Sequence, residues 1–469
     1  MEEFDFVIIG SGSAAFAAAI KASEFDAKKV AMIERGTIGG TCVNVGCVPS
    51  KRLLTVGETY YYNGHDYKGV EVKSGAVDLE SIVKQKDDIV LNLRTAKYSN
   101  VVESLPNTKF IKGLAQFISK NQVKVNSQVI TGKKFLIATG STPSIPKIEG
   151  IDQGDYLTNV EALSLKDLPE TMLIVGGRAL ALEFAQIYAH LGTEVTLLQR
   201  SSRIVPEEEP EISDALRTYL EEEGIIIHTG VSVKKIENRH GSKVITAGVE
   251  GRGEKEFEGE QVLMATGRTP NTFGLGLERT GVKLSEEGAI LVDDEMKTTA
   301  PHIWAAGDVL GKPMLETVAA KEGSIAAENA LATSNTKRTM DFSAIPHAIF
   351  TMPQVASVGL TDAEAVAKGY QCNCSVLDMS LVPKAQITGD TRGLVKMVID
   401  NETGRILGVH ILSALAADII HEAVLAVNLK LTIDYIIDTV HIFPTMAESI
   451  KLVAQSFRKD ISKMSCCTD

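Results

Sequence analysis

The chain opens with an apolar run, Phe4-Asp5-Phe6-Val7-Ile8-Ile9, that breaks into Gly10-Ser11-Gly12-Ser13-Ala14-Ala15 and then an alanine-rich stretch. A short apolar run of this kind predicts a buried strand, and the small residues after it a tight turn into a helix. Val30-Ala31-Met32-Ile33-Glu34 supplies the next strand, which completes a βαβ unit. The pattern returns at Thr171-Met172-Leu173-Ile174-Val175, Gly176-Gly177, a helix through Glu183-Phe184-Ala185, and a strand Glu194-Val195-Thr196-Leu197-Leu198. Two Ala-Thr-Gly turns, at 138–140 and 265–267, bracket this second unit. It therefore reads as a domain inserted in the first, after which the chain returns through Ile303-Trp304-Ala305-Ala306-Gly307-Asp308. Beyond about residue 341, short β runs such as Leu394-Val395-Lys396-Met397-Val398-Ile399 alternate with amphipathic helices, the texture of an α+β domain. The fold class predicted is α/β, with two Rossmann-like dinucleotide-binding domains and a C-terminal α+β domain. The boundaries expected are 1–150 and 269–340 for the first domain, 151–268 for the second and 341–469 for the third.

At Gly10-x-Gly12-x-x-Ala15 small residues let backbone amides approach a pyrophosphate at a helix N-terminus, and Glu34 can accept from ribose hydroxyls. With Gly307-Asp308 downstream, this fits an extended FAD whose ribityl chain or pyrophosphate Asp308 reaches. The second fingerprint has Gly176 and Ala181 in place but Arg178 at the middle glycine position. A large cation there obstructs close approach unless its side chain turns outward and contacts phosphate itself. The second strand ends in Gln199 rather than an acid, followed by Arg200 and Arg203, a set suited to a 2′-phosphate. NADPH is therefore expected over NADH. The cofactor-binding candidates around the first unit are Gly10, Gly12, Ala14, Ala15, Glu34, Gly40, Thr41, Lys51, Ala115, Thr139, Gly140, Gly307 and Asp308. Around the second unit they are Gly176, Arg178, Glu183, Arg200, Arg203 and Gly267.

Composition narrows the partners. The 469 residues are 44% hydrophobic and 23% charged, enough for about three globular domains. A formal net charge of −12 argues against nucleic acid. No leader and no run of about 18 apolar residues is visible, so we expect a cytoplasmic protein without a membrane span. The six cysteines fall in three local pairs, which in a reducing compartment reads as redox or metal chemistry. Cys42 and Cys47 are five apart, so on a regular helix they would not face each other. Pro49 clashes with the carbonyl of Val45 and is expected to open that turn, which makes a cycling disulfide plausible. Lys51, one turn on, could face the flavin and pair with Glu183. Cys466 and Cys467 are adjacent. Their Cα atoms, about 3.8 Å apart, are too close for an ordinary disulfide, which wants about 4.4–6.8 Å. They suit a shared soft metal ion instead. Cys372 and Cys374 share one face of a strand-like stretch, where packing is the simpler reading. No metal-spaced set stands out among the nine histidines.

The segment Gly39-Gly40-Thr41-Cys42-Val43-Asn44-Val45-Gly46-Cys47-Val48-Pro49-Ser50-Lys51 resembles the active-site signature of the flavoprotein disulfide reductases, also called pyridine nucleotide-disulfide oxidoreductases. The resemblance covers essentially the whole chain. It implies a homodimer joined by the third domain, with each active site completed by the partner subunit. It also implies that Cys47 is the sulfur beside the flavin and Cys42 the outer one. Members acting on dithiols carry a His-Pro…Glu pattern whose histidine transfers protons. Here Ile442-Phe443-Pro444-Thr445-Met446-Ala447-Glu448 puts Phe443 at that position, which disfavours a glutathione or lipoamide substrate. The mercuric ion reductase branch also lacks the histidine, usually having tyrosine there, and ends in a Cys-Cys pair. Its third domain has a segment similar to Val382-Pro383-Lys384-Ala385…Asp390-Thr391-Arg392-Gly393. Resemblance to that branch implies Hg(II), presented by thiols, as substrate, with FAD and NADPH as cofactors. It also implies Cys42, Cys47, Cys466 and Cys467 as metal ligands, the last two acting from the partner subunit. These four cysteines, Lys51 and Glu183 are then the catalytic candidates. Three departures accompany it: Phe443, Arg178, and a flavin strand beginning at Phe4 with no N-terminal metal-binding domain before it. Competing expectations are a disulfide reductase of the thioredoxin-reductase type and a mercury-sequestering role without turnover.

Overall fold

The computed structural model describes residues 2–25, 27, 29–62, 69–70, 72–153, 156–332 and 337–464. Cys466 and Cys467 lie outside these described residues. Strand β1 (Glu2–Ile9) leads through helix α1 (Ser13–Ser23) to β2 (Val30–Glu34). The sheet they build runs Thr108–Lys112, β2, β1, Gln128–Ile137, Gln122–Val125, Ala115–Ser119. The first four of these are parallel and the last two antiparallel. Ile303–Ala305 returns to pair in parallel with Gln128–Ile137. Residues Phe6 to Ile9 are all buried, as befits a parallel strand covered on both faces. The strand begins two residues before the predicted Phe4, because Glu2 and Glu3 pair with Ile130 and Thr131.

The second sheet is wholly parallel, in the order Ile226–His228, Glu194–Leu198, Thr171–Val175, Gln261–Met264. Its crossover is helix Ala179–Leu191. A two-stranded ribbon, Ser141–Pro143 with Arg268–Pro270, lies where the chain leaves and re-enters the first sheet. The C-terminal sheet is antiparallel, in the order His347–Ile349, Gln354–Gly359, Ile406–Ser413, Leu394–Asp400, Cys372–Asp378. Helices Ala416–Asn428 and Glu448–Gln455 pack their apolar residues against its core. Two Rossmann-like units and a C-terminal α+β unit are the architecture.

Several joints depend on backbones touching without side chains between them. A Cβ on Gly10 would overlap the carbonyl oxygen of Ala138, and one on Gly176 that of Ala265. Both glycines have positive φ, 122° and 135°, which other residues rarely adopt. The two Ala-Thr-Gly turns thus sit against the first glycine of each fingerprint. Helix α1 packs on helix Glu316–Leu331 through alanines at 14, 18, 19 and 22, all buried. Gly323 is the closest point, where a Cβ would overlap the backbone of Ala14.

Gly323→Ala should force these helices apart and lower stability by roughly 1–3 kcal/mol, the usual cost of overpacking. A drop in the denaturant midpoint with the slope unchanged is the expected result.

Candidate functional site

A cavity of about 630 Å³ joins the first fingerprint to the dithiol. Gly10, Gly12, Ala14 and Glu34 line one part, Thr139, Gly140, Gly307 and Asp308 another, and Gly40, Thr41, Cys42, Cys47, Lys51 and Glu183 a third. Ala15 is buried behind the turn in the core. Ala115 begins its strand with its side chain in the core beside Phe117 and does not reach the cavity lining. Helix α1 starts after Gly12 with no side-chain cap, so its first amides are left for an anion. Gly40, at φ 69°, would bring a Cβ to 2.6 Å from the Cα of Gly12. The glycines thus keep the floor of the cavity down to bare backbone. Glu34 is already oriented, accepting from Ser11 Oγ at 2.7 Å and from the Gly36 amide at 2.5 Å. Asp308 accepts from Ser141 Oγ at 2.6 Å, and Arg268 donates to the same hydroxyl at 2.7 Å. These features fit an extended dinucleotide with its pyrophosphate at α1.

The dithiol sits at a break between two helices, α2 (Gly40–Val45) and α3 (Cys47–Tyr62). Our expectation placed the cause of the break at Pro49. The structure puts it earlier, at Gly46, with φ −130° and ψ −117°. A Cβ there would lie 3.0 Å from the Thr41 carbonyl oxygen. Pro49 falls in the first turn of α3, where a missing amide is tolerated. The carbonyl of Val45 is instead taken by Asn159 Nδ2 at 2.6 Å. Both thiols are free. Cys47 is the first residue of α3, and its exposed surface is wall of the cavity.

The two sulfurs are not equivalent. A hydrogen bond from Cys42, and then the charge of Lys51, hold the Cys47 thiol below its usual range against burial. Cys42 is pushed far up because it gives that hydrogen bond, is buried, and faces Glu316. Of the pair, Cys47 is therefore the sulfur that ionises first and Cys42 the one that holds its proton longer. Lys51 Nζ is 2.7 Å from Glu183 Oε2 and lies 4.6 Å from the centre of the Phe350 ring. The other oxygen of Glu183 accepts the Phe350 amide at 3.0 Å.

Around the second fingerprint, Gly177 fits under Gln199 and accepts the Val205 amide at 2.8 Å. Arg178 has extended backbone, φ −107°, and its side chain turns outward to Glu207 at 3.3 Å. The side chain thus leaves the turn and meets a carboxylate. Helix Ala179–Leu191 has no side-chain cap, so its first amides are also open to an anion. Arg200 is exposed and Arg203 half-buried on the adjoining loop. Gly267, at φ 113°, closes the turn that faces Gly176.

Sequence reasoning missed Asn159, Arg268, Glu316 and Glu322. Glu316 accepts from Cys42 Sγ and, at 3.1 Å, from Ser13 Oγ. Glu322 accepts the Gly307 amide at 2.7 Å and is pushed up to about 7 by burial. Arg268 directly follows the second Ala-Thr-Gly turn, a position that could have drawn notice; the others carry no local pattern. Cys372 donates to Asp362 Oδ1 at 3.0 Å, and Cys372 and Cys374 pack beside Leu360 and Tyr370. Phe443 is 47% exposed, and nearby His441 is held by Glu422 at 2.9 Å.

Known proteins share this arrangement. Residues 4–323 match the model of the pyridine nucleotide-disulphide oxidoreductases, and residues 345–454 that family's dimerisation domain. A mercuric reductase of Staphylococcus aureus is 45% identical over 99% of this chain and 84% of its own length. One of Streptomyces lividans is 41% identical over 99% of this chain and 98% of its own. The structure of the HOCl-induced flavoprotein disulfide reductase RclA from Escherichia coli superposes with a TM-score of 0.87 at 29% identity, covering 97% of this chain and 100% of that one.

Replacing Lys51 by Met should remove the cation that favours the Cys47 thiolate. The alkylation of the reduced protein by iodoacetamide, followed against pH, should then shift its midpoint to the alkaline side and run slower at pH 7. An unmoved profile would mean that Lys51 does not set the charge of the pair.

Proposed function

The chain belongs to the pyridine nucleotide-disulphide oxidoreductase family, and we propose that it reduces Hg(II) to Hg(0) with electrons from NADPH. The observation that carries this reading is a free dithiol on the wall of a nucleotide-shaped cavity, in a chain 41–45% identical over 99% of its length to mercuric reductases. A flavin and a pyridine nucleotide are the cofactors of the family, and we take them to be FAD and NADPH. Gly10, Gly12, Ala14, Glu34, Thr139, Gly140, Gly307 and Asp308 would hold the FAD, with Gly40, Thr41 and Lys51 toward the dithiol. Gly176, Arg178, Arg200, Arg203 and Gly267 would hold the NADPH, whose 2′-phosphate suits the two arginines after Gln199. When bound, the flavin supplies the route by which two electrons from NADPH reach the Cys42–Cys47 disulfide.

The protein's own groups then do the rest. Lys51 favours the thiolate of Cys47, and Cys42 keeps the remaining proton. Hg(II) is a soft ion and arrives bound to external thiols. Two Hg–S bonds to external thiols break as the bonds to Cys47 and Cys42 form: Cys47 enters as the thiolate, and the one proton of Cys42 goes to one of the two departing thiolates. A second pair of electrons converts Hg(II) to neutral mercury, which leaves because it no longer binds two thiolates. Cys466 and Cys467 of the partner subunit would capture the ion and hand it inward. Homodimerisation through the third domain brings the two chains together for this. Phe443 cannot move a proton, and exchange at the metal does not ask it to.

Hg(II) with excess thiol should stimulate NADPH oxidation and release mercury vapour in proportion. Cys42→Ala or Cys47→Ala should abolish both, while Cys466→Ala with Cys467→Ala should block thiol-bound mercury and leave flavin reduction intact. Stimulation by thioredoxin without mercury, or stoichiometric uptake with no vapour, would overturn the reading. Arg200→Glu with Arg203→Glu should cut kcat/KM for NADPH by about tenfold or more relative to NADH, the loss of at least one charge-assisted contact. An unchanged cofactor ratio would remove these arginines from the 2′-phosphate site.

A further inference from the structure

Three metal-ligating atoms meet beside the cavity. The sulfurs of Cys42 and Cys47 and one carboxylate oxygen of Glu316 lie within 4.8 Å of one another, the one such group of three among the described residues. They come from α2, the first residue of α3 and the first residue of helix Glu316–Leu331. Glu316 is oriented for this. One of its oxygens accepts from Ser13 Oγ at 3.1 Å, and the other faces Cys42 Sγ. Lys51, whose charge acts on Cys47, is already matched by Glu183 at 2.7 Å.

Two sulfurs and one oxygen do not form a purely soft site. Hg(II), a soft ion, is satisfied by thiolates. Zn(II) is borderline and accepts cysteine and carboxylate together, often with three protein ligands and one open position. We propose that the reduced Cys42–Cys47 pair and Glu316 form a three-ligand site for a borderline divalent cation such as Zn(II), with Glu316 as the ligand that sets how tightly such ions compete with Hg(II). The inference rests on the reading that Cys42 and Cys47 work as a reducible dithiol. Binding releases to water whatever protons the two sulfurs still hold, and no electrons move. Zn(II) has no redox chemistry, so an ion held here is not turned over. Oxidation of the pair to a disulfide removes two of the three ligands, so the site belongs to the reduced protein alone.

The test uses the FAD-loaded protein reduced with a phosphine and desalted, so that it does not depend on turnover. Zn(II) is titrated against a chromophoric chelator, and binding by the Cys42→Ser variant is subtracted. The reduced protein should hold one Zn(II) per chain beyond that background, and the oxidised protein none. Glu316→Gln should weaken binding at least tenfold, the scale of losing a metal-positioning group, and Glu316→Asp should recover part of it. X-ray absorption of the zinc-loaded protein, which needs no variant, should show two sulfurs and at least one oxygen ligand. Equal zinc affinity in Glu316→Gln, or a zinc shell of sulfur and water with the carboxylate still bound to Ser13 alone, would overturn the proposal. Failure of mercury-dependent NADPH oxidation would instead count against the function, and the zinc titration would stand by itself.

Discussion

Glu183 is the charge around which this molecule is assembled. It is 5% exposed, and an unpaired carboxylate so placed would cost several kcal/mol. Each oxygen must therefore find a partner, and each partner comes from a different part of the chain. Lys51 reaches it from α3, behind the dithiol, and the Phe350 amide reaches it from the entrance to the third domain. Less than one turn along the same helix, Gln186 receives the Met352 amide at 2.7 Å and donates to the Met352 carbonyl at 2.8 Å. Satisfying one buried carboxylate thus draws all three units together on the wall of the cavity.

That constraint reaches the sulfur chemistry directly. Lys51 is held by Glu183 where its charge can favour one thiolate, and the closer sulfur in sequence is Cys47, one turn earlier. Cys47 also opens a helix of 16 residues, whose N-terminal dipole favours an anion. Cys42 faces Glu316 instead, and a carboxylate opposes a second negative charge. The asymmetry between two chemically identical side chains is therefore supplied by their neighbours at either end. A singly ionised pair is the useful state for metal exchange, since one sulfur can attack while the other still has a proton to give.

Much of the scaffold was legible because its signals are local. Continuous apolar runs such as Phe6 to Ile9 and Thr171 to Val175 mark strands covered on both faces. The fingerprint glycines mark places where a backbone must touch Ala138 or Ala265. The break between the thiols was legible in its effect but not its cause. Pro49 drew attention as a helix breaker, yet in the first turn it breaks nothing, and Gly46 makes the bend. What Pro49 leaves behind is a bare Val45 carbonyl, and its partner, Asn159, is in another domain. Asn159, Glu316 and Glu322 have no spacing that announces them, because their partners are distant in sequence. Glu183 was within reach because a lysine one turn after a dithiol raises the question of what neutralises it. At Arg178 the backbone decides which way the side chain goes. A fingerprint records Cβ clashes, and an extended backbone lets this side chain leave the turn without one.

The groups near the dithiol also argue for where exchange takes place. Breaking a disulfide substrate makes a thiolate that must be protonated quickly, and a free acid has to be at hand. Around the cavity, Lys51 is committed to Glu183 and His347 to Glu208 at 2.5 Å, while His421 also lines the wall. Phe443, at the position where relatives acting on dithiols carry a histidine, offers only carbon. Hg(II) changes that requirement, because the electrophile is the metal and the departing thiolate can take the proton that the entering Cys42 gives up. The reaction then carries its own acid in the attacking thiol. A raised Cys42 is an asset on this view: it stays protonated until the metal claims its sulfur, and the proton is released only when there is a leaving group to accept it.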